Sequence, residues 1–306
     1  LTKLGIRISL LYAGGVIEMG KKLEVAPLIY VQLDISWSEL PSSGVFTEEE
    51  LTQFHRAMLK LGFTQKHELE HQWEEVAISA GGSSIRPNSM RRYIFSNAEK
   101  DCQVEVTRSL LSIRQSRYTG FDDLVKLILS VSEALKGIED IGNTGVSLFS
   151  IHYVDIIIPS SGLELHNYVD DHLIPYDPPV SNPVAKQRST SSVSLLEKSD
   201  SKIRDIAVRF NMFKAAEKKF PVLIPVELQE KQDEVAMPLF LPHIEFKENT
   251  DYGILDIRHG CRLLKQQKFS DFQVESEIRT LYQTASNVFW DILSDHAKKE
   301  WGYECS

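Results

Sequence analysis

Apolar and polar residues alternate along the first clear segment of the chain, Ala26–Ser36, where Ile29, Val31, Leu33 and Ile35 share one phase. Alternation over this length is typical of a strand with one buried face and one open face. The pattern therefore predicts that the folded chain opens on a β-strand.

Three later segments show helical spacing instead. Apolar residues recur every three or four positions in Glu48–Leu61, and Thr47 precedes this run with Glu50 three residues further on. That pair has the spacing of a capping box, which predicts the helix start. Wider apolar stripes predict a second helix over Asp122–Ile138 and a long final helix from Asp271 to Glu300.

The remaining apolar runs have the length and β-branched content of strands. We predict strands at Trp73–Ala80, Arg92–Asn97, Cys102–Gln115, Val146–Pro159, Ile206–Phe213, Val222–Gln229, Leu239–Lys247 and Ile254–Leu264. A short helix is predicted at Leu163–Ile174. Residues 176–202 are rich in Pro, Ser and Thr, which indicates a long loop or an inserted segment.

The order strand, helix, strands, long helix occurs twice, in residues 26–140 and again in residues 145–306, where the loop near residues 176–202 is inserted. This predicts an α+β fold made of two related strand–helix–strands–helix halves, an internal duplication. Each half is expected to form an antiparallel sheet whose apolar face is covered by its own long amphipathic helix. The groove between the halves is the expected ligand site.

Composition narrows the class of protein. The chain has 306 residues, of which 42% are hydrophobic, as is typical of a globular protein. Its net charge of −9 disfavours general coating of nucleic acid, because phosphate binding rests on clustered Lys and Arg. Its three cysteines are widely spaced and odd in number, so we predict no disulfide framework and a reducing compartment.

The beginning of the chain loosely resembles a signal peptide, but its apolar core is short. We expect residues 1–25 to be an extension upstream of the fold, with Met19 as the natural start and the cytoplasm as the location. No apolar run has transmembrane length, so no membrane contact is expected.

Four segments carry a resemblance to a known family. They are Ala26–Ser36 (APLIYVQLDIS), Tyr118–Phe121 (YTGF), Ile151–Pro159 (IHYVDIIIP) and Asn287–Gly302 (NVFWDILSDHAKKEWG), and they span nearly the whole chain from Ala26. In order and spacing, the chain resembles the sporadically distributed prokaryotic conserved hypothetical proteins of about this length. The resemblance implies no activity and no catalytic residues. The patchy distribution of that family implies accessory genes, such as toxin–antitoxin or anti-phage loci.

One motif suggests a metal. His67-Glu68-Leu69-Glu70-His71 spells HExxH, which on a helix would place two imidazoles on one face for zinc. The segment is instead a short connection before a predicted strand, Glu70 adds a charge, and no third ligand follows at the expected spacing. We interpret His67 and His71 as solvated polar residues, keep them only as weak metal candidates, and expect no cofactor.

A second motif, Asp256-Ile-Arg258-His259-Gly260, contains the RHG of histidine phosphatases. Those enzymes carry it at the end of a strand in a parallel sheet, whereas here the polar residues alternate within a late strand. We interpret it as a plain strand with outward polar residues. The sequence contains no P-loop, GxSxG or CxxC motif.

Positive charge clusters on one predicted sheet region together with tyrosine. The candidate ligand-binding or nucleic-acid-binding residues are Arg86, Arg91, Arg92, Arg108, Arg114, Arg117 and Tyr118. Such a face could bind phosphate groups, although neighbouring glutamates could equally neutralise it.

Three functions remain open. The incomplete catalytic sets favour a non-catalytic binding or partner-regulating protein, for instance an antitoxin, immunity or anti-phage defence component whose partner is another protein. The alternatives are an enzyme with a dispersed active site in the groove between the halves, and a nucleic-acid binder that uses the basic sheet face.

Overall fold

The computed structural model describes residues 27–40, 46–79, 82–175, 189–214, 222–225, 228, 239–244, 246 and 250–302. The predicted extension over residues 1–25 lies outside these residues, as does the first part of the predicted loop, residues 176–188.

The described residues form nine strands and five α-helices. The strands are β1 (Leu28–Trp37), β2 (Gln65–Ser79), β3 (Gly82–Ser96), β4 (Cys102–Val106), β5 (Leu110–Gln115), β6 (Gly145–Ile157), β7 (Ser189–Lys198), β8 (Lys202–Lys214) and β9 (Asp251–Lys268). The helices are α1 (Glu48–Lys60), α2 (Phe121–Lys136), α3 (Glu139–Asn143), α4 (Val274–Ile292) and α5 (Asp295–Glu300).

All nine strands belong to one antiparallel sheet with the order β2-β3-β4-β5-β1-β6-β9-β8-β7. The chain is α+β, but the predicted pair of separate sheets is wrong. The physical reason is the direct pairing of β1 with β6, which sets Leu33 opposite Ile151 and Ile35 opposite Phe149. Each half thereby buries its first strand against the other half instead of leaving an exposed edge.

The strand order nevertheless repeats within the chain. The first half contributes the order β2-β3-β4-β5-β1 and the second half the order β6-β9-β8-β7. In each half the first strand lies beside the last strand, and the two first strands meet at the centre of the sheet. The repeated element order predicted from the sequence thus has a counterpart in the strand order.

Helices α2 and α4 share one face of the sheet, which we call the helix face. Apolar residues of both helices belong to a single core cluster with the strand residues beneath them. The rings of Phe121 and Tyr282 stack with centroids 3.7 Å apart, and Arg279 lies 3.3 Å from Asp122 at the same junction. The expectation that each long helix covers its own sheet is therefore wrong, because the two helices pack against each other over one continuous layer.

Of the local helix predictions, the start of α1 is confirmed and two others are corrected by the structure. The capping box of α1 is confirmed, since Thr47 and Glu50 bond reciprocally. The predicted final helix is interrupted, because Ser294 caps α5 by accepting a hydrogen bond from the Ala297 amide at 3.0 Å. The predicted short helix over Leu163–Ile174 is instead two 3-10 turns.

Two strand predictions are wrong where the structure describes them. Residues 222–225 and 239–244 form no strand but pack as irregular chain over the face opposite the helices, which we call the open face. The predicted loop near residues 176–202 also contains a strand, β7. Among the described residues, no helix has the length and apolar character needed to cross a lipid bilayer.

Candidate functional site

Polar residues gather on the open face where the two halves meet. Strands β1 and β6 place apolar side chains toward the helices, so their alternate residues must point to the open face. These are Gln32 and Asp34 on β1, which pair directly with His152 and Ser150 on β6. The alternation that buries the core therefore also assembles a polar row at the centre of the sheet.

Strand β9 adds two charged residues to this row. Arg258 lies directly opposite His152 in the ladder, and Asp256 lies two residues earlier on the same face. The His152 ring Nε2 forms a hydrogen bond with an Asp256 carboxylate oxygen. We call Gln32, Asp34, His152, Asp256 and Arg258 the junction site.

The carboxyl of Asp34 is anchored from its own strand. The Gln32 amide Nε2 donates to both carboxylate oxygens, at 3.0 and 2.8 Å, and the Tyr30 hydroxyl donates to Gln32 at 2.6 Å. Burial raises the pKa of Asp34 above its ordinary range, although the Gln32 hydrogen bonds and the Arg114 charge act in the opposite direction. A carboxyl with a raised pKa beside an imidazole has the properties of a general acid or base.

A buried ion cluster continues the row through β5, β4 and β3. Glu105 accepts hydrogen bonds from the Arg92 Nε at 2.7 Å and from an Arg114 Nη at 2.7 Å. Burial opposes ionisation of Glu105, but the Arg92 hydrogen bonds and the charges of both arginines outweigh it and lower its pKa. This cluster, one carboxylate between two guanidinium groups, fixes the side chains that flank the junction site.

The predicted basic set is divided by the fold. Arg92 and Arg114 meet on the open face, where both bind Glu105. Arg91 alternates with Arg92 on β3 and so belongs to the other face, where its guanidinium lies 3.8 Å from the Glu68 carboxylate. Arg108 lies in the turn between β4 and β5 and pairs with Glu39, which follows β1.

Three members of the basic set remain. Arg117 is exposed, and the Arg86 side chain lies outside the described residues. Tyr118 packs edge-on against Tyr153, with ring centroids 6.2 Å apart, and its buried hydroxyl has no described hydrogen-bond partner. The described part of the set therefore forms no continuous basic surface.

The HExxH segment lies on a strand rather than a helix. His67 and His71 both belong to β2, where they pair with Ile94 and Met90 of β3. Four residues along a strand separate two Cα atoms by about 13 Å, too far for both imidazoles to bind one zinc ion. Among the described residues, no group of three His, Cys, Asp or Glu side chains could hold a metal ion.

The second motif is split between the two faces of the sheet. Arg258 is exposed on the open face, whereas His259 is buried on the helix face and its Nδ1 lies 3.0 Å from the Leu281 carbonyl oxygen. Burial lowers the pKa of His259. The two residues therefore cannot cooperate on one phosphate group as in a histidine phosphatase.

Sequence reasoning predicted none of the five junction residues as part of a site. Gln32, Asp34 and His152 each occupy the polar phase of a strand that was predicted correctly, and Asp256 and Arg258 were interpreted as outward polar residues of a plain strand. A usable signal was present, because carboxylate and imidazole groups interrupted the two most apolar strands. Their proximity depended on the pairing of β1 with β6, which no local pattern indicates.

No family model matches the chain, and no curated protein matches it. The family resemblance described above therefore remains a prediction.

Proposed function

We propose that this protein is a non-catalytic binding protein that holds an anionic group of its ligand at the junction site. The observation that carries the proposal is Arg258, which is exposed on the open face beside β6 and has no ion pair or hydrogen bond with a described residue. A guanidinium group can bind a carboxylate or phosphate through two parallel hydrogen bonds.

The surroundings of Arg258 suit such a role. Its ladder neighbour on β8 is Ala207, whose small side chain leaves space beside the guanidinium, and its neighbour on β6 is His152. Arg262 follows on the same face of β9 and is also exposed. The two arginines lie about 13 Å apart along the strand, and Asp205, the β8 neighbour of Gly260, lies between them on the same face.

Binding can be measured with inorganic phosphate as the probe. In an isotope-labelled protein, phosphate titration is expected to shift the Arg258 Nε–Hε resonance, and Arg258→Gln should weaken binding about tenfold through loss of the bidentate contact. Arg56→Gln is the matched control, because Arg56 is exposed on α1. Equal affinity of the wild type and the two variants would refute the proposal.

Asp34 supports a second candidate, an enzyme that uses acid–base chemistry. Its raised pKa and its neighbour His152, hydrogen-bonded to Asp256, supply two groups that could exchange a proton with a bound substrate. Chromogenic phosphate and carboxylate esters provide a direct assay. Turnover that disappears in Asp34→Asn and His152→Gln, and persists in Arg56→Gln, would favour the enzyme over the binding protein.

The other functions have less structural support. Nucleic-acid binding through the predicted basic set requires side chains that the fold directs to different surfaces. A role in toxin–antitoxin or anti-phage systems rests on the family resemblance alone. For both, the partner would have to be found experimentally, by co-purification from the native host and by salt-dependent binding to nucleic acid.

A further inference from the structure

Strand β7 forms a regular edge of the sheet that the structure describes. All ten residues from Ser189 to Lys198 pair with β8 without a register shift. Strand β7 ends the strand order, and no described residue pairs with its outer side. Its outward backbone N–H and C=O groups therefore form a template for another strand.

This edge lacks the usual protection against pairing. Between Ser189 and Leu196 it contains no proline, no charged residue and no bulge, and Leu196 is 73% exposed. The opposite edge, β2, carries charged residues along most of its length, with the sequence QKHELEHQWEEVAIS. Charged side chains discourage edge-to-edge association, so the two edges differ in their capacity to pair.

The side-chain pattern of β7 is complementary to itself. Val193 and Leu195 are half-buried and pack against the core on the helix face, whereas Ser192 and Ser194 are exposed on the open face. Residues opposite each other in a ladder must share a face, so a twofold axis between two antiparallel β7 strands has to pass through a residue position. With the axis at Ser194, each Val193 meets Leu195 of the second copy.

We propose that β7 is a homodimer interface, at which a second copy of this chain pairs antiparallel about Ser194 and extends the sheet across both subunits. The proposal is independent of the junction site. Because a single strand pair buries less surface than a standard protein interface, we expect association at micromolar concentrations rather than a permanent dimer.

Sedimentation velocity of the full chain, from about 1 to about 100 µM, tests this directly. The wild type should shift from monomer to dimer over that range. Ser194→Lys places two ammonium groups opposite each other at the axis, and like charges directly opposite across a ladder should weaken the dimer about fivefold. Ser194→Asp should have the same effect.

Mixing these two variants provides the sharpest test. A lysine opposite an aspartate should restore association in the mixture while each variant alone stays weakened. Ser130→Lys is the matched control, since Ser130 is exposed on α2, and circular dichroism checks that each variant folds. A wild type that stays monomeric throughout, or Ser194 variants that dimerise as tightly as the wild type, would overturn the proposal.

Discussion

Asp155 is a buried carboxyl group whose titration should make the stability of the folded protein depend on pH. It lies on β6 with Leu28 and Leu255 as ladder neighbours, and only 3% of its surface is exposed. No described residue donates a hydrogen bond to its carboxyl, and burial alone raises its pKa to about 8. The folded protein therefore keeps Asp155 protonated at neutral pH, whereas the unfolded chain ionises it.

The sign of the pH dependence follows from this difference. An unfolded aspartate has a pKa of about 3.9, so between that value and about 8 the folded state binds more protons than the unfolded state. The free energy of unfolding must therefore fall as the pH rises through this window. Each pH unit is worth about 1.4 kcal/mol, so the contribution lost between pH 4 and pH 7 is at most about 4 kcal/mol.

Replacing Asp155 with asparagine removes this titration and preserves the shape of the side chain. We expect Asp155→Asn to be more stable than the wild type at pH 7, by up to about 4 kcal/mol, and to lose this advantage near pH 4. Urea unfolding monitored by circular dichroism at several pH values measures the difference directly. Taking the difference between the two proteins cancels the titration of groups that they share.

An exposed carboxylate provides the control. Hydrogen bonds from Thr119 and Lys126 lower the pKa of Asp123, so its contribution to stability is present above the unfolded pKa and is lost as the pH falls. Asp123→Asn should therefore act in the direction opposite to Asp155→Asn. A stability difference between the wild type and Asp155→Asn that does not change with pH would refute the reasoning.

Three further substitutions, one of them with a matched control, test other parts of the fold. Glu105→Gln removes the charge of the buried carboxylate that Arg92 and Arg114 share and should cost about 3–5 kcal/mol in urea unfolding. Thr47→Ala removes the capping box of α1 and should cost about 1 kcal/mol, measured by thermal unfolding. Gly253→Ala would place a Cβ atom 2.3 Å from the Phe210 ring and should cost about 1–3 kcal/mol, whereas Gly137→Ala, whose nearest neighbour is 3.6 Å away, should be close to neutral.

The secondary structure could be predicted wherever a periodic pattern coincided with local signals. Strand β1 and helix α1 appear where alternation and the Thr47 cap place them. The two failed strands near residues 222–247 show what such patterns omit. Pro225 and Pro242 interrupt those apolar runs, and proline cannot donate a hydrogen bond to a central ladder. The residues of these two runs are apolar, but they pack on the open face as irregular chain.

The extent of the sheet could not be predicted from such signals. Whether two related halves form two sheets or one depends on the edges of β1 and β6, and each of these strands shows the same alternation in either arrangement. The junction site depends on the pairing of β1 with β6, because His152 lies beside Gln32 only through that pairing. The break in the final helix is a different case. Serine is a common N-cap residue, so Ser294 was a local signal for a new helix start, but the apolar stripe that continues past it favoured one long helix.

The central pair of strands shows how one repeated architecture can carry an asymmetric site. If the two halves are related by a twofold axis that passes between Leu33 and Ile151, these two residues occupy equivalent positions, and both fill the core on the helix face. On the open face the equivalent residues differ, because the same axis relates Asp34 to His152 and Gln32 to Ser150. Packing constrains only one face of each strand, and the other is free to acquire different chemistry. A ligand at the junction would thus meet a carboxyl from the first half and an imidazole and a guanidinium from the second, and could bind in only one orientation.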